Sequence, residues 1–404
     1  MQYIAGGVCA PKGFKAAGVH CGIRKNRTKY DLALIVSDEM AAAAAVYTQN
    51  LVKGAPILVT KEHLADGYAR AVIVNSGNAN TCNANGIEIA KGMCALVREH
   101  TGIDEKDVAV ASTGVIGQPL SLQPIADGME KLVNALSYDG SVDAANAIMT
   151  TDTLLKQFAV EFMMDGVVCT IGGIAKGSGM IHPNMATMLS FITTDCAISP
   201  EMLQEALKED IVESFNMVSV DGDTSTNDMV MIMANGLAGN SPITKKNADY
   251  ATFRSALRMI TQMLSRAIAK DGEGATKLIV SKTVGAKNVE TARTVAKAVI
   301  CSNLFKAAMF GADANWGRVL CAIGYSGADV DVNKIDVTFS SEMGKLPVCM
   351  NGAGVPFDED EAKKVLSANE VNVLVDLCDG ECEATAWGCD LTYDYVKING
   401  DYRT

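Results

Sequence analysis

Short apolar runs alternate along this chain with longer amphipathic stretches, and turns rich in Gly, Asn, Asp and Ser separate them. Runs at 32–36, 71–74 and 108–111 predict strands. The stretch 86–100, ended by Thr101-Gly102, predicts a helix, and 120–136 and 142–149 predict two more. Strands at 158–164 and 167–171 flank Asp165-Gly166, a pair that favours the left-handed backbone of a tight hairpin turn. A further strand follows at 188–193. Helices are predicted at 200–216 and 251–270, the second long and amphipathic, then a strand at 277–280 and a helix at 289–301. Beyond about residue 330 the pattern turns strand-rich, with strands predicted at 335–339, 371–377, 384–386 and 391–397. The hairpins in the middle favour helices packed on antiparallel sheets, an α+β class, over a regular βαβ series. A boundary is expected near 285–287, separating a main unit, 1–284, from a smaller one, 285–404.

Composition narrows the possibilities. Of 404 residues, 49% are apolar and 20% charged, enough to bury a real core. The 47 acidic and 35 basic residues give a net charge of −12, which argues against a nucleic-acid partner or an anionic membrane surface. The most apolar long stretch, 154–175, is interrupted by Lys156, Glu161 and Asp165, and the N-terminus lacks a basic start with an apolar run behind it. No membrane span or signal peptide is expected, and the cytoplasm is the expected compartment. Twelve scattered Cys then read as free thiols.

Candidate chemistry is sparse by spacing alone. Lys176-Gly-Ser-Gly179 lacks the order of a phosphate loop, and no dinucleotide fingerprint is present. Asp221, Asp223 and Asp228 can be read as a Mg²⁺ set, but turn residues are the commoner use of such a run. Cys378, Cys382 and Cys389 do not have zinc spacing, so no metal is expected. Thr187 stands out more. It follows small Ala186 and precedes an apolar strand, and a cut before it would put a free α-amino group beside its hydroxyl, nucleophile and base in one residue. A Thr at the start of a strand is nevertheless more often structural, because β-branched residues suit strands.

The run Gly177-Ser-Gly-Met-Ile-His-Pro-Asn-Met-Ala-Thr-Met-Leu189 resembles the cleavage and nucleophile motif of the ornithine acetyltransferase (glutamate N-acetyltransferase) family of arginine biosynthesis. So do Val74-Asn-Ser-Gly-Asn-Ala-Asn80, Ser112-Thr-Gly-Val-Ile-Gly117, Ile148-Met-Thr-Thr-Asp-Thr153, the run 219–228, Asp271-Gly-Glu-Gly-Ala-Thr-Lys277, Gly311-Ala-Asp-Ala-Asn-Trp-Gly-Arg318 and the C-terminal 395–404, in order along nearly the whole chain. The resemblance implies a layered helix/sheet/sheet/helix architecture of the N-terminal-nucleophile kind with a smaller C-terminal α/β domain. It implies self-cleavage between Ala186 and Thr187 into chains 1–186 and 187–404, associated as α2β2. Thr187 would carry acetyl from N2-acetylornithine to glutamate in a ping-pong reaction without a cofactor, and acetyl-CoA is a possible second donor. Thr113 and Gly114 match the family's oxyanion pair. Thr153, Lys176, Thr187, Glu273, Asn399 and Thr404 match its substrate-binding positions. The alternatives are a Thr-nucleophile aminopeptidase or amidase of related architecture, and a metabolite-binding protein without catalysis.

Overall fold

The structure, a computed structural model, describes residues 1–26, 28–182 and 188–400. In chain order its strands are β1 (Gln2–Ile4), β2 (Phe14–Val19), β3 (Leu32–Tyr47), β4 (Tyr68–Asn78), β5 (Val108–Val115), β6 (Lys156–Met164), β7 (Val167–Lys176), β8 (Leu189–Thr194), β9 (Val218–Ser219) and β10 (Met229–Ala234). Then come β11 (Leu278–Ala286), β12 (Asp336–Ser341), β13 (Gly344–Met350), β14 (Ala353–Gly354), β15 (Glu370–Asp376) and β16 (Cys382–Cys389). Among the described residues they form two sheets. The first runs β1-β6-β7-β8-β10-β3-β4-β5 with β2 also on β3, and the second runs β14-β13-β12-β15-β11-β16-β9.

The hairpin expected at Asp165-Gly166 forms. Both residues have positive φ (50° and 73°), as a two-residue hairpin turn requires, and β6 pairs with β7 from Met164↔Val167 to Lys156↔Ala175. Strand β3 organises the rest of the first sheet. Its early residues pair with β4 and its last ones with β10, and the register shifts between Val36 and Ala41. The alanine run lets the sheet turn back on itself. Ile35, Val72, Val74, Ala109 and Ala111 of one half share a buried core with Ile174, Leu189, Phe191, Met229 and Met231 of the other. Two half-sheets therefore stack face to face. Outside one of them, Leu32, Leu34, Ile73 and Val110 pack on the helices Gly86–Thr101 and Gln123–Asn134. Outside the other, Val160, Phe162, Ile192 and Ile232 pack on Pro200–Ile211 and Ala248–Lys270. The result is an α+β fold with helix/sheet/sheet/helix layers.

The helix Ala248–Lys270 starts where the Asn247 side chain accepts from Tyr250 N, which satisfies one of the unpaired N–H groups of the first turn. It buries Phe253, Leu257, Ile260, Leu264 and Ile268 at helical spacing, each contributing roughly 1.5–3 kcal/mol of transfer free energy. Its core continues into the second sheet through Ile279, Val373 and Val375. Residues 285–287 lie at the end of β11, and the second sheet also takes in β9 from far upstream.

Two expectations are corrected here. The sheets are mixed, because β4·β5, β8·β10 and β11·β15 pair parallel. The strand expected at 391–397 is a helix, Tyr393–Asn399, begun by the Thr392 hydroxyl accepting from Tyr395 N. Among the described residues no helix is long and apolar enough to cross a membrane.

Candidate active site

The end of β7 and the starts of β8 and β10 lie at one edge of the sandwich, because Lys176 is opposite Leu189 and Leu189 is beside Met229. The end of β5 reaches the same place from the other half-sheet. Lys176 Nζ donates to Thr113 Oγ1 at 3.2 Å, with both residues buried. Burial pushes the Lys176 pKa down, and the Asp152 carboxylate works against that push. Thr113, Lys176, Met188 and Asp228 line a small cavity of about 30 Å³.

Gly114 follows at φ +132°, in parallel register with Gly77. A Cβ there would sit 2.3 Å from the Gly77 carbonyl carbon and 2.5 Å from Asn78 N, both backbone atoms that cannot step aside. The turn leaves glycine as the residue that fits. Gly114→Ala is expected to lower stability by about 1–3 kcal/mol from the backbone strain alone, read as a fall in the urea midpoint at unchanged m-value.

A second group lies behind Lys176. Lys156, fully buried, bridges Asp152 at 2.7 Å and Asp271 at 2.5 Å. Asp152 also accepts from Gly177 N at 2.7 Å. Burial alone would raise the Asp152 pKa, but the charges of Lys156 and Lys176 and the Gly177 N–H outweigh it and hold the carboxyl well below the usual range. Asp271 in turn receives Thr153 N and the Thr153 hydroxyl. The Thr153 hydroxyl proton is therefore committed to Asp271.

Two residues on from Asp271, Glu273 N donates to Ser178 O at 2.8 Å, and Glu273 Oε2 accepts from Asn399 Nδ2 at 2.7 Å. The helix Tyr393–Asn399 is pinned by Thr392 Oγ1 donating to Gly274 O at 2.7 Å and by Tyr395 Oη donating to Asp221 at 3.3 Å. Asp221 meanwhile accepts from Met180 N and Ile181 N. Thus the helix Tyr393–Asn399 is tied to the strip 178–181 through Glu273 and Asp221.

Of the residues singled out by sequence, Thr113 and Lys176 gather at the cavity, and Gly114 follows Thr113 on the same turn. Glu273 and Asn399 form a pair beside Gly179, and Thr153 joins through Asp271. Ala186, Thr187 and Thr404 lie outside the described residues. Asp221, Asp223 and Asp228 do not converge: Asp221 holds backbone N–H groups, Asp223 is exposed and Asp228 is buried at the cavity. The group of Cys, Asp or His side chains that does gather among the described residues is Cys169, Asp195 and Cys196, with Asp195 taken up by Thr170 N and Lys12 N. The twelve thiols are unpaired.

The ArgJ family profile matches residues 15–404. The chain belongs to the ArgJ family. It is 51% identical over 405 residues to the arginine biosynthesis bifunctional protein ArgJ of Caldanaerobacter subterraneus subsp. tengcongensis, covering 100% of both chains. With the protein of the same name from Bacillus subtilis it shares 47% identity over 403 residues, 99% of this chain and 97% of that one. A crystal structure of Bacillus halodurans ArgJ matches with a TM-score of 0.51 and 48% identity, over 53% of this chain and 99% of that chain. This ArgJ chain is accordingly an acetyltransferase of arginine biosynthesis.

Several residues around the cavity have no signal of their own in the sequence. Asp152 and Asp271 lie inside the runs 148–153 and 271–277, and Lys156 interrupts the apolar stretch 154–175. His182, just before the proposed cut, has Nδ1 3.0 Å from Ser219 Oγ and 3.6 Å from Cys301 Sγ. Burial, with the Lys297 charge behind it, pushes its pKa down to about 4, so it is a neutral hydrogen-bonding group near pH 7.

Proposed function

We propose that this chain cuts itself between Ala186 and Thr187 and that the freed Thr187 carries an acetyl group from N2-acetylornithine to glutamate. The observation that carries this reading is the Thr113–Lys176 contact at the cavity beside Met188, the residue after Thr187. A hydroxyl there, held by a buried lysine, and the Gly114 N–H on the same turn suit an oxyanion. Such donors are each worth roughly 3–4 kcal/mol of transition-state stabilisation. The new α-amine has an ordinary pKa of about 7.7–8.0 and can act as base near neutral pH, where a free lysine stays protonated.

In this reading Lys176 meets a substrate α-carboxylate, Glu273 an ammonium group, and Thr153, Asn399 and Thr404 complete the polar lining. Ornithine leaves before glutamate enters, no cofactor takes part, and two copies of each piece assemble as α2β2. Acetyl-CoA is the candidate second donor for the same Thr187. The test measures N-acetylglutamate formed from acetylornithine and from acetyl-CoA, side by side. Transfer from acetylornithine that requires glutamate is expected. Acetate released at the same rate without glutamate would replace this reading with an amidase.

A further inference from the structure

In the uncut chain the nitrogen of Thr187 belongs to a peptide bond and cannot serve as a base. The amine proposed to drive acetyl transfer does not exist when the cut is made, so another group must take the Thr187 hydroxyl proton and supply one to the leaving nitrogen. Among the described residues lining the cavity beside Met188, Lys176 and Asp228 carry ionisable side chains. Lys176 already donates to Thr113 Oγ1. Asp228 is buried, and its Oδ2 has no hydrogen-bond partner among the described residues.

Its placement is firm. Met229 N donates to Met188 O at 2.9 Å and Met229 is in register with Leu189, which sets Asp228 alongside Met188. Thr48 N donates to the Asp228 carbonyl at 3.0 Å. The preceding Asn227 is clamped by donating to Ala79 O at 2.5 Å and to Ser112 O at 3.0 Å. A buried polar atom left unpaired costs free energy, and in a rigid setting it points to a role beyond folding. His182, four residues before the proposed cut, is turned to Ser219 and Cys301 and is not among the described residues lining the cavity.

We infer that Asp228 is the proton carrier of the self-cleavage, a role that rests on the cut proposed above. As Thr187 Oγ attacks the Ala186 carbonyl carbon, the new C–O bond forms and the hydroxyl proton passes to the Asp228 carboxylate. As the C–N bond breaks, the same proton passes to the leaving nitrogen, giving an ester and a free amine. Water then hydrolyses the ester to the Ala186 carboxyl and the Thr187 hydroxyl. Burial raises the Asp228 pKa well above the usual carboxyl value, with a hydrogen bond from Ser225 and the Lys176 charge opposing.

The test times cleavage of freshly synthesised full-length precursor by intact mass. Asp228→Asn keeps the shape but cannot cycle a proton, and its half-time should lengthen roughly 100-fold or more. Asp228→Ala should be as slow, and formate should restore cutting in proportion to its concentration while formamide does not. An Asp228→Asn precursor cut at the wild-type rate overturns the inference. So does an Asp228→Ala precursor that ignores formate or responds equally to formamide. A wild-type precursor that stays whole is a different result, because it removes the cut itself.

Discussion

Thr187→Ala is expected to remain one chain near 42.6 kDa by intact mass and to transfer no acetyl group, while the wild type yields two fragments joining at Ala186 and Thr187. Alanine removes the oxygen that makes both steps possible. Without a hydroxyl there is no attack on the Ala186 carbonyl and hence no new amine. Without the oxygen there is also no ester to carry the acetyl group. Loss of a covalent nucleophile elsewhere lowers kcat on the order of 10⁶-fold, so the residual rate should fall below detection. Thr187→Ser keeps the hydroxyl and should still cut and turn over. A Thr187→Ala chain that splits at the same bond would place the nucleophile elsewhere.

The second large effect is on stability. Lys156→Met should cost about 3–5 kcal/mol of unfolding free energy, since it leaves Asp152 and Asp271 buried without their shared cation. The sign of its pH dependence follows from Asp152. Its pKa is depressed in the folded wild type, so its contribution is present above the unfolded carboxyl pKa and is lost as pH falls through the lower folded one. Removing Lys156 takes away the largest influence holding that pKa down. Protonation then relieves the variant, and the gap between the two proteins should be widest near pH 7 and narrow as pH drops toward 4. Urea unfolding at several pH values reads this directly. A gap that stays constant with pH would mean that lost packing of the lysine stem is the cause.

How legible the molecule was depended on the range of the interactions. The β6–β7 hairpin was readable because Asp165-Gly166 encodes its own turn. The helix Ala248–Lys270 was readable because its buried positions repeat at helical spacing. The extent of β3 was not, since five alanines have no polar-apolar alternation and their role is to let one half-sheet cross onto the other. The segment after Leu391 was misread because its alternating residues imitate a strand, while a single Thr392 hydroxyl bond starts a helix. At the site, the resemblance named Thr113, Lys176, Glu273 and Asn399, but not who holds whom. Thr113 meets Lys176 across 63 positions and Lys156 meets Asp271 across 115, distances that no local pattern spans. Asp228 was seen in the sequence as one of three possible metal ligands, and its burial facing Lys176 separates it from the other two.

Strands β7 and β8 lie on either side of the proposed cut and remain hydrogen-bonded neighbours in one sheet, and β3 pairs with β10 across the same divide. Two polypeptides parted there would share a single hydrophobic interior, so pulling them apart would amount to unfolding both. Synthesis as one chain would then solve a problem of supply, because each molecule delivers its two subunits in equal number, already docked. Mixing separately made halves would have to regain that pairing from dilute solution, against the edge-to-edge association of unpaired strands.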